Sequence, residues 1–212
     1  MKRNYFLLFA GYCLLLAIVI SGCGGGGPGS PGSSGSENTG VALSATVVGS
    51  FQGEPTYSVD TFQGICDEGP PPVYEDFADH QATVTFTARL LNPDTTFPAG
   101  KLYIEKYTVE LRRSPDSIGA PPIESDTRYQ TIEIPAPTGS GVVIVETEIL
   151  LVDLLRKDQY REDVLSGRYS SGLAYINNYT AIYTFYGQNE FGENFKIKAQ
   201  MNFQIGNFDH CE

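Results

Sequence analysis

NFKIKAQMNFQI, residues 194–205, alternates six polar side chains with six apolar ones. A period of two over twelve residues is typical of a β-strand with one buried side and one solvent-facing side, and it does not fit a helix. A second apolar stretch precedes it at Tyr179–Tyr186, and Gly187–Gly192 supplies a turn between the two. These residues predict an antiparallel hairpin and favour an all-β fold for the chain around it.

Five stretches upstream of the hairpin are also rich in β-branched and aromatic residues, which favour strands. They are Val41–Val48, Gln81–Leu91, Leu102–Arg112, Tyr129–Ile134 and Val142–Val152. In the third of them the apolar positions change from even to odd numbers, which predicts a β-bulge near Glu105 and Lys106. The fifth is apolar almost throughout, which predicts a central strand. About seven strands within 41–212 predict one domain, an antiparallel β-sandwich.

Two segments of this domain have other patterns. Asp153–Leu165 predicts one short helix, with Asp153 as the N-cap and Gly167 beyond its end. Residues 49–79 are long and irregular and contain Pro70-Pro71-Pro72. A connection of that length is usually functional or flexible, or it conceals a short hairpin.

Residues 1–22 predict a secretory signal peptide. Lys2 and Arg3 form a positive start, Phe6–Ile20 is apolar, and Ser21 and Gly22 are small. The apolar run of about 15 residues is shorter than the roughly 20 that a membrane-spanning helix needs. A retained single-span anchor is the alternative interpretation.

Ile20-Ser21-Gly22-Cys23 resembles the lipobox of bacterial lipoproteins, in which an aliphatic residue and two small ones precede an invariant Cys. The resemblance implies cleavage between Gly22 and Cys23, a diacylglycerol on the Cys23 sulfur and an acyl chain on the new amine. Gly24 in place of Asp implies an outer-membrane location in the cell envelope. Two or more acyl chains give stable attachment to membrane lipid. Residues 23–40 are then the lipidated Cys and a flexible tether rich in Gly, Ser and Pro.

The chain is acidic, with 25 Asp and Glu against 14 Lys and Arg and a formal net charge of −11. Removal of Lys2 and Arg3 with the leader makes the charge more negative still. This charge argues against nucleic acid and anionic lipid headgroups as partners, because both are repelled. A solvated surface and cation binding are the two interpretations that it leaves.

Two of the four cysteines are not available for a disulfide in the expected mature protein, because Cys13 is removed with the leader and Cys23 carries the lipid. Cys66 and Cys211 remain as an even pair in an exported, oxidising compartment. We expect a Cys66–Cys211 disulfide that pins the C-terminus, and two free thiols are the alternative.

Both histidines lie beside acidic residues, in segments that a Cys66–Cys211 bond would bring together. Clustered carboxylates suit calcium, and imidazole with carboxylate suits zinc. The candidate metal ligands are Asp67, Glu68, Asp76, Asp79, His80, Asp209 and His210. Their spacing matches no known metal loop, so a solvated acidic rim is the competing interpretation.

Tyrosines are dense between residues 169 and 186, at Tyr169, Tyr175, Tyr179, Tyr183 and Tyr186. Aromatic faces can stack on sugar rings or anchor a protein, although alternating tyrosines in sandwich strands usually pack the core. The chain has no nucleophile elbow, zinc-protease motif, C-x-x-C or phosphate loop. We therefore expect a protein that is not an enzyme and needs no cofactor.

Residues 106–111, 181–187 and 191–194 resemble a group of uncharacterised bacterial lipoproteins with immunoglobulin-like or fibronectin type III-like sandwich domains. The matching positions are mainly core and turn residues, so the resemblance implies a fold rather than an activity. We expect a lipid-anchored cell-envelope lipoprotein, a structural or protein-interaction module without catalytic activity. The alternative is a lipoprotein that binds a metal or a carbohydrate through the 67–80 loop, the C-terminus or the Tyr-rich strand.

Overall fold

A computed structural model describes residues 35–95, 99–169, 171 and 173–208. Within these residues two β-sheets pack over one hydrophobic core. The strands are β1 (Val41–Phe51), β2 (Glu54–Pro55), β3 (Ser58–Asp60), β4 (Ile65–Asp67), β5 (Val73–Tyr74), β6 (His80–Leu90), β7 (Leu102–Arg113), β8 (Asp126–Ile134), β9 (Val142–Val152), β10 (Asn177–Asn189) and β11 (Asn194–Gly206). One α-helix, α1 (Leu154–Leu165), connects β9 to β10.

The first sheet has the strand order β2-β1-β6-β9, and the second has the order β3-β11-β10-β7-β8. The long strands pair antiparallel, whereas the short edge strand β3 runs parallel to β11. The predicted all-β sandwich is confirmed, since the seven strands of nine or more residues match the predicted number. The other four strands are short, and β4 and β5 pair as a hairpin inside the irregular 49–79 segment.

The alternating stretch 194–205 forms most of β11, the second strand of the β10–β11 hairpin. All six apolar side chains of the 194–205 stretch are buried and the six polar ones are exposed. On β10, Tyr179, Tyr183 and Phe185 are fully buried. Phe185 meets Phe86 of the first sheet edge-on, with ring centroids 5.0 Å apart. Burial of a side chain of this size contributes roughly 1.5–3 kcal/mol, so this hairpin supplies much of the core.

The predicted bulge in β7 is present. Its register with β8 shifts between Ile104 and Lys106. The extra residue changes the parity of the inward positions, and both Ile104 and Tyr107 are therefore buried.

The prediction that Val142–Val152 is a central strand is wrong, because β9 is an edge strand of the first sheet. Val142 and Ile144 are 56% and 66% exposed, Val143 and Val145 are half-buried against the core, and only the second half of the strand has fully buried side chains. An apolar composition indicates burial on both faces, but it carries no information on whether a strand has one neighbour or two.

The predicted helix and its N-cap are confirmed. The Asp153 side chain accepts a hydrogen bond from the Arg156 N–H at 2.9 Å, and α1 begins at the next residue, Leu154. Gly167 follows the helix with a φ of +68°, a conformation that glycine adopts without strain. Among the described residues, no helix is both long enough and apolar enough to span a bilayer.

The ordered domain begins before the predicted boundary at residue 41. Ser36 is buried, and its hydroxyl donates to the Val41 carbonyl and accepts from the Leu43 N–H. Asn38 donates to the Asn194 carbonyl at 2.7 Å. Residues 35–40 were predicted as tether, but these hydrogen bonds hold them on the sandwich although they bring almost no apolar surface.

The connections between strands lie at two opposite poles of the sandwich. We call the first the entry pole, formed by residues 35–40, 91–95, 135–141 and 190–193, and the second the acidic pole, formed by residues 52–79, α1 and residues 207–208. Strands of 11 to 13 residues run between them, which separates the poles by roughly 40 Å.

Candidate functional site at the acidic pole

The predicted metal ligands at the surface of the acidic pole do not converge. Asp67 and Glu68 are exposed at the end of β4, and Asp76 accepts a hydrogen bond from the Gln52 amide at 2.6 Å. No three His, Cys, Asp or Glu side chains of the described residues form a group that could hold a metal ion. Asp209 and His210 lie outside the described residues, so the metal site stays a prediction.

Asp79 and His80 both contact neighbouring parts of the domain. The Asp79 carboxylate accepts from the N–H of Leu154 at 2.8 Å, so it caps the first turn of α1 from a neighbouring segment. His80 is fully buried at the start of β6 and stacks on Phe51, with centroids 4.4 Å apart. These contacts give Asp79 a capping role and His80 a packing role.

The acidic pole contains four buried ionisable residues, which we call the polar cluster because one of them interacts with the charges of two others and shares an aromatic contact with the fourth. It consists of Asp60, Glu75, His80 and Lys157. Lys157 extends from α1 and donates to the Ala78 carbonyl at 2.5 Å. Its ammonium also lies over the Phe77 ring at 4.6 Å and the Phe51 ring at 5.8 Å.

Burial lowers the pKa of Lys157 from 10.5 to about 8, although the charges of Asp60, Asp79 and Glu75 act in the opposite direction. At neutral pH the amine therefore keeps its proton, and the aromatic faces and the Ala78 carbonyl replace part of its lost hydration. A lysine with a lowered pKa is a common feature of functional sites. Here the side chain is fully buried, so the geometry supports a role in fastening α1 to the loop.

The two carboxylates of the polar cluster accept hydrogen bonds from backbone N–H groups. Asp60 accepts from the N–H groups of Phe62 and Phe208, at 3.2 and 2.9 Å, and so joins the end of β3 to the end of the described chain. Glu75 accepts from the N–H of Gly64 and closes the segment around the β4–β5 hairpin. The polar cluster thus orders an otherwise irregular pole of the sandwich.

Sequence reasoning missed Lys157, although a signal was available. Lys157, Tyr160 and Val164 follow the spacing of one helix face, and all three are buried. The buried face of α1 therefore includes a lysine that the periodicity could have identified.

The tyrosines divide into core and surface residues. Tyr179 donates to the Pro121 carbonyl at 2.5 Å and Tyr183 to the Leu150 carbonyl at 3.1 Å, and burial raises the pKa of both. For these two the core interpretation is confirmed. Tyr186 is half-buried on the outer face of the second sheet.

Cys66 lies half-buried in β4, and Cys211 lies outside the described residues. Phe208 is three residues before Cys211 and bonds to Asp60, six residues before Cys66. The two chain segments therefore run close together, but the pairing of the cysteines stays a prediction.

No family model matches the chain, and no curated protein is similar to it. Among solved structures, one similar chain is a solution structure of a candidate late embryogenesis abundant (LEA) protein, with 10% identity and a TM-score of 0.35, covering 80% of this chain and 74% of that one. Another is an X-ray structure of a structural genomics target, with 10% identity and a TM-score of 0.29, covering 82% of this chain and 92% of that one.

Proposed function

We propose that this protein is a lipid-anchored module of the cell envelope that binds a partner and catalyses no reaction. The observation that carries the proposal is the position of the first described residue on the sandwich. Gly35, the first described residue, accepts a hydrogen bond from the Lys196 N–H at the start of β11, at the entry pole. A lipid on Cys23 would hold the domain by that pole and leave the acidic pole facing away from the membrane.

The Gly/Ser/Pro composition of residues 24–34 supports a short spacer between lipid and domain. A flexible coil of that length spans roughly 17–20 Å. Three acyl chains on Cys23 would make the attachment essentially permanent, since each buried CH2 contributes about 0.8 kcal/mol.

Metabolic labelling with a fatty-acid analogue tests the anchor. We expect the wild type to be labelled and Cys23→Ser to remain unlabelled, because that sulfur carries the diacylglycerol. Cys13→Ser is the matched control, since it removes a leader cysteine that carries no lipid, and it should be labelled like the wild type. Label on Cys23→Ser would contradict the proposal.

The strand order supports an immunoglobulin-like or fibronectin type III-like assignment. Taken in chain order, the first, second and fifth long strands, β1, β6 and β9, form one sheet, and the other four form the second sheet. Immunoglobulin-like sandwiches divide their strands in this way, with variation in the sheet that the fourth strand joins. Such sandwiches commonly present binding surfaces on a rigid scaffold. A pull-down from detergent-solubilised envelope tests for a stoichiometric partner.

A further inference from the structure

Three lysines lie together on the outer face of the second sheet, Lys106 on β7 and Lys196 and Lys198 on β11. None of them belongs to an ion pair among the described residues. The other two lysines of the domain differ, because Lys101 pairs with Glu133 and Lys157 is buried. An acidic chain thus concentrates its unpaired lysines on one sheet face.

Two of these lysines converge on one aromatic ring. Tyr186 of β10 lies directly between Lys106 and Lys196 in the strand register. Each ammonium is 5.3 Å from the centroid of the Tyr186 ring. Cation–π attraction offsets the repulsion of two like charges held near the same ring.

Tyr129 of β8 extends this arrangement, since it lies directly opposite Lys106 and is 81% exposed. Tyr129, Lys106, Tyr186 and Lys196 therefore form one line across four adjacent strands, which we call the aromatic–basic row. Adjacent strands are about 4.8 Å apart, so the row is roughly 14 Å long.

Two acidic groups of this sheet face have side-chain partners, and a third, Glu37, lies in a surface hollow with Tyr186 and Lys196. Glu110 bonds to Arg112 at 2.7 Å, and Glu105 accepts from the Gln188 amide at 2.6 Å. Lys106 and Lys196 are in no ion pair among the described residues, so both ammonium groups can attract an external anion.

We propose that the aromatic–basic row binds a short acidic oligosaccharide of the uronic acid type. A sugar ring can stack on the exposed Tyr129 ring, and carboxylates of the same oligosaccharide can accept charge-assisted hydrogen bonds from Lys106 and Lys196, which lie at the Tyr186 ring. A row that alternates ring and cation suits a ligand that alternates apolar ring faces and carboxylates. This inference rests on the proposed role as a binding module and names the ligand class.

The net charge of the chain limits the length of the ligand. A long polyanion would be repelled by the many distant carboxylates. At 0.15 M salt the Debye length is about 8 Å, so an oligomer no longer than the row senses mainly the local lysines. The row therefore selects short acidic oligosaccharides rather than polymers.

Isothermal titration of the full chain in detergent with tetragalacturonate tests the proposal. We expect binding, and we expect the methyl-esterified tetrasaccharide, which has no charge, to bind at least about tenfold more weakly. The double variant Lys106→Gln/Lys196→Gln should lose about tenfold in affinity and Tyr129→Ala about fivefold. Lys101→Gln, immediately before β7, is the matched control and should bind like the wild type.

Several results would overturn the inference. They are no binding of tetragalacturonate, binding unchanged in the double variant, and equal binding of tetraglutamate, which would indicate a surface for acidic proteins instead. Preferential binding of anionic lipid vesicles by Cys23→Ser would indicate a membrane contact and would equally contradict it. Because Cys23→Ser should bind tetragalacturonate like the wild type, failure of the anchor is distinguishable from failure of this site.

Discussion

Lys157 is the residue whose energetics differ most from those of an ordinary surface side chain. Its amine is buried with a pKa near 8, against 10.5 when exposed. Because the folded pKa is lower, the unfolded state binds more protons between pH 8 and 10.5, and stability rises with pH through that window. Burying the charge therefore destabilises the fold at neutral pH, and deprotonation relieves that effect.

We predict that raising the pH from 7 to 9.5 stabilises the wild type, relative to Lys157→Met, by about 2 kcal/mol. Urea unfolding of both proteins at several pH values measures the difference, and the comparison cancels groups that titrate alike in both. Lys101→Met is the control, because Lys101 is an exposed lysine paired with Glu133 and should show no such gain. A constant difference between wild type and Lys157→Met across this range would contradict the buried ammonium.

Single residues also show how far the sequence determines this structure. The parity change between Ile104 and Tyr107 predicted the bulge, because a buried face tolerates only one register. Ser36 gave no comparable signal, because its hydroxyl acts through hydrogen bonds to the backbone and not through a periodic pattern. Contacts of this kind depend on which segment folds back onto which.

Among the secondary-structure elements, α1 is stabilised mainly by side chains that bond to its first turn. Asp153 accepts from the Arg156 N–H and also forms ion pairs with Arg156 and Arg128, at 2.7 and 3.0 Å. Asp79 supplies a second acceptor at Leu154. The carboxylates also interact favourably with the positive end of the helix dipole.

We predict that Asp153→Ala destabilises the protein by about 1–2 kcal/mol, since it removes the cap and its ion pairs. Asp153→Asn keeps a capping oxygen and should lose less than about 1 kcal/mol. Thermal or urea unfolding measures both, and Asp158→Ala, whose partner Arg161 lies on the exposed side of α1, is the control. Equal losses for the Ala and Asn variants would show that the cap contributes nothing.

Strand β9 shows where element prediction stops. Its composition indicated burial. In its second half the backbone of Leu150 is bonded to the core, because its N–H donates to the Tyr107 hydroxyl and its carbonyl accepts from Tyr183. Two core tyrosines thus occupy backbone groups that a neighbouring strand would otherwise pair. No local pattern in 142–152 could predict this, because both tyrosines belong to the opposite sheet.

For the whole molecule, the sequence predicted the class of fold because one strand alternates over twelve residues and six other stretches are apolar or rich in β-branched and aromatic residues. It did not predict the polar cluster, because Lys157 of α1 is far along the chain from Asp60, Glu75 and His80 and meets them only in the folded chain. The metal prediction grouped two segments that the expected Cys66–Cys211 bond would bring together. In the structure Asp79 caps α1 and His80 stacks on Phe51, and the metal site itself stays a prediction because Asp209 and His210 lie outside the described residues.

The proposed Cys66–Cys211 disulfide would connect distant parts of the whole molecule, since it would close a loop of about 145 residues. In the chain-entropy model such a bond stabilises the fold by up to about 4–5 kcal/mol. We predict that the paired variant Cys66→Ser/Cys211→Ser melts well below the wild type, and that reduction lowers the wild-type melting temperature toward that of the variant. Thiol titration under denaturing, non-reducing conditions should find neither cysteine reactive. Two reactive thiols would rule out the bond.

In the proposed arrangement, lipid on Cys23 holds the β-sandwich by its entry pole and the acidic pole faces away from the membrane. Energy transfer from a fluorescent amino acid to an acceptor lipid in reconstituted vesicles tests this directly, with the donor at Ser140 of the entry pole or at Glu68 of the acidic pole. We predict stronger transfer from Ser140 than from Glu68, and transfer from neither position in Cys23→Ser. Equal or stronger transfer from Glu68, or unchanged transfer in Cys23→Ser, would contradict the account.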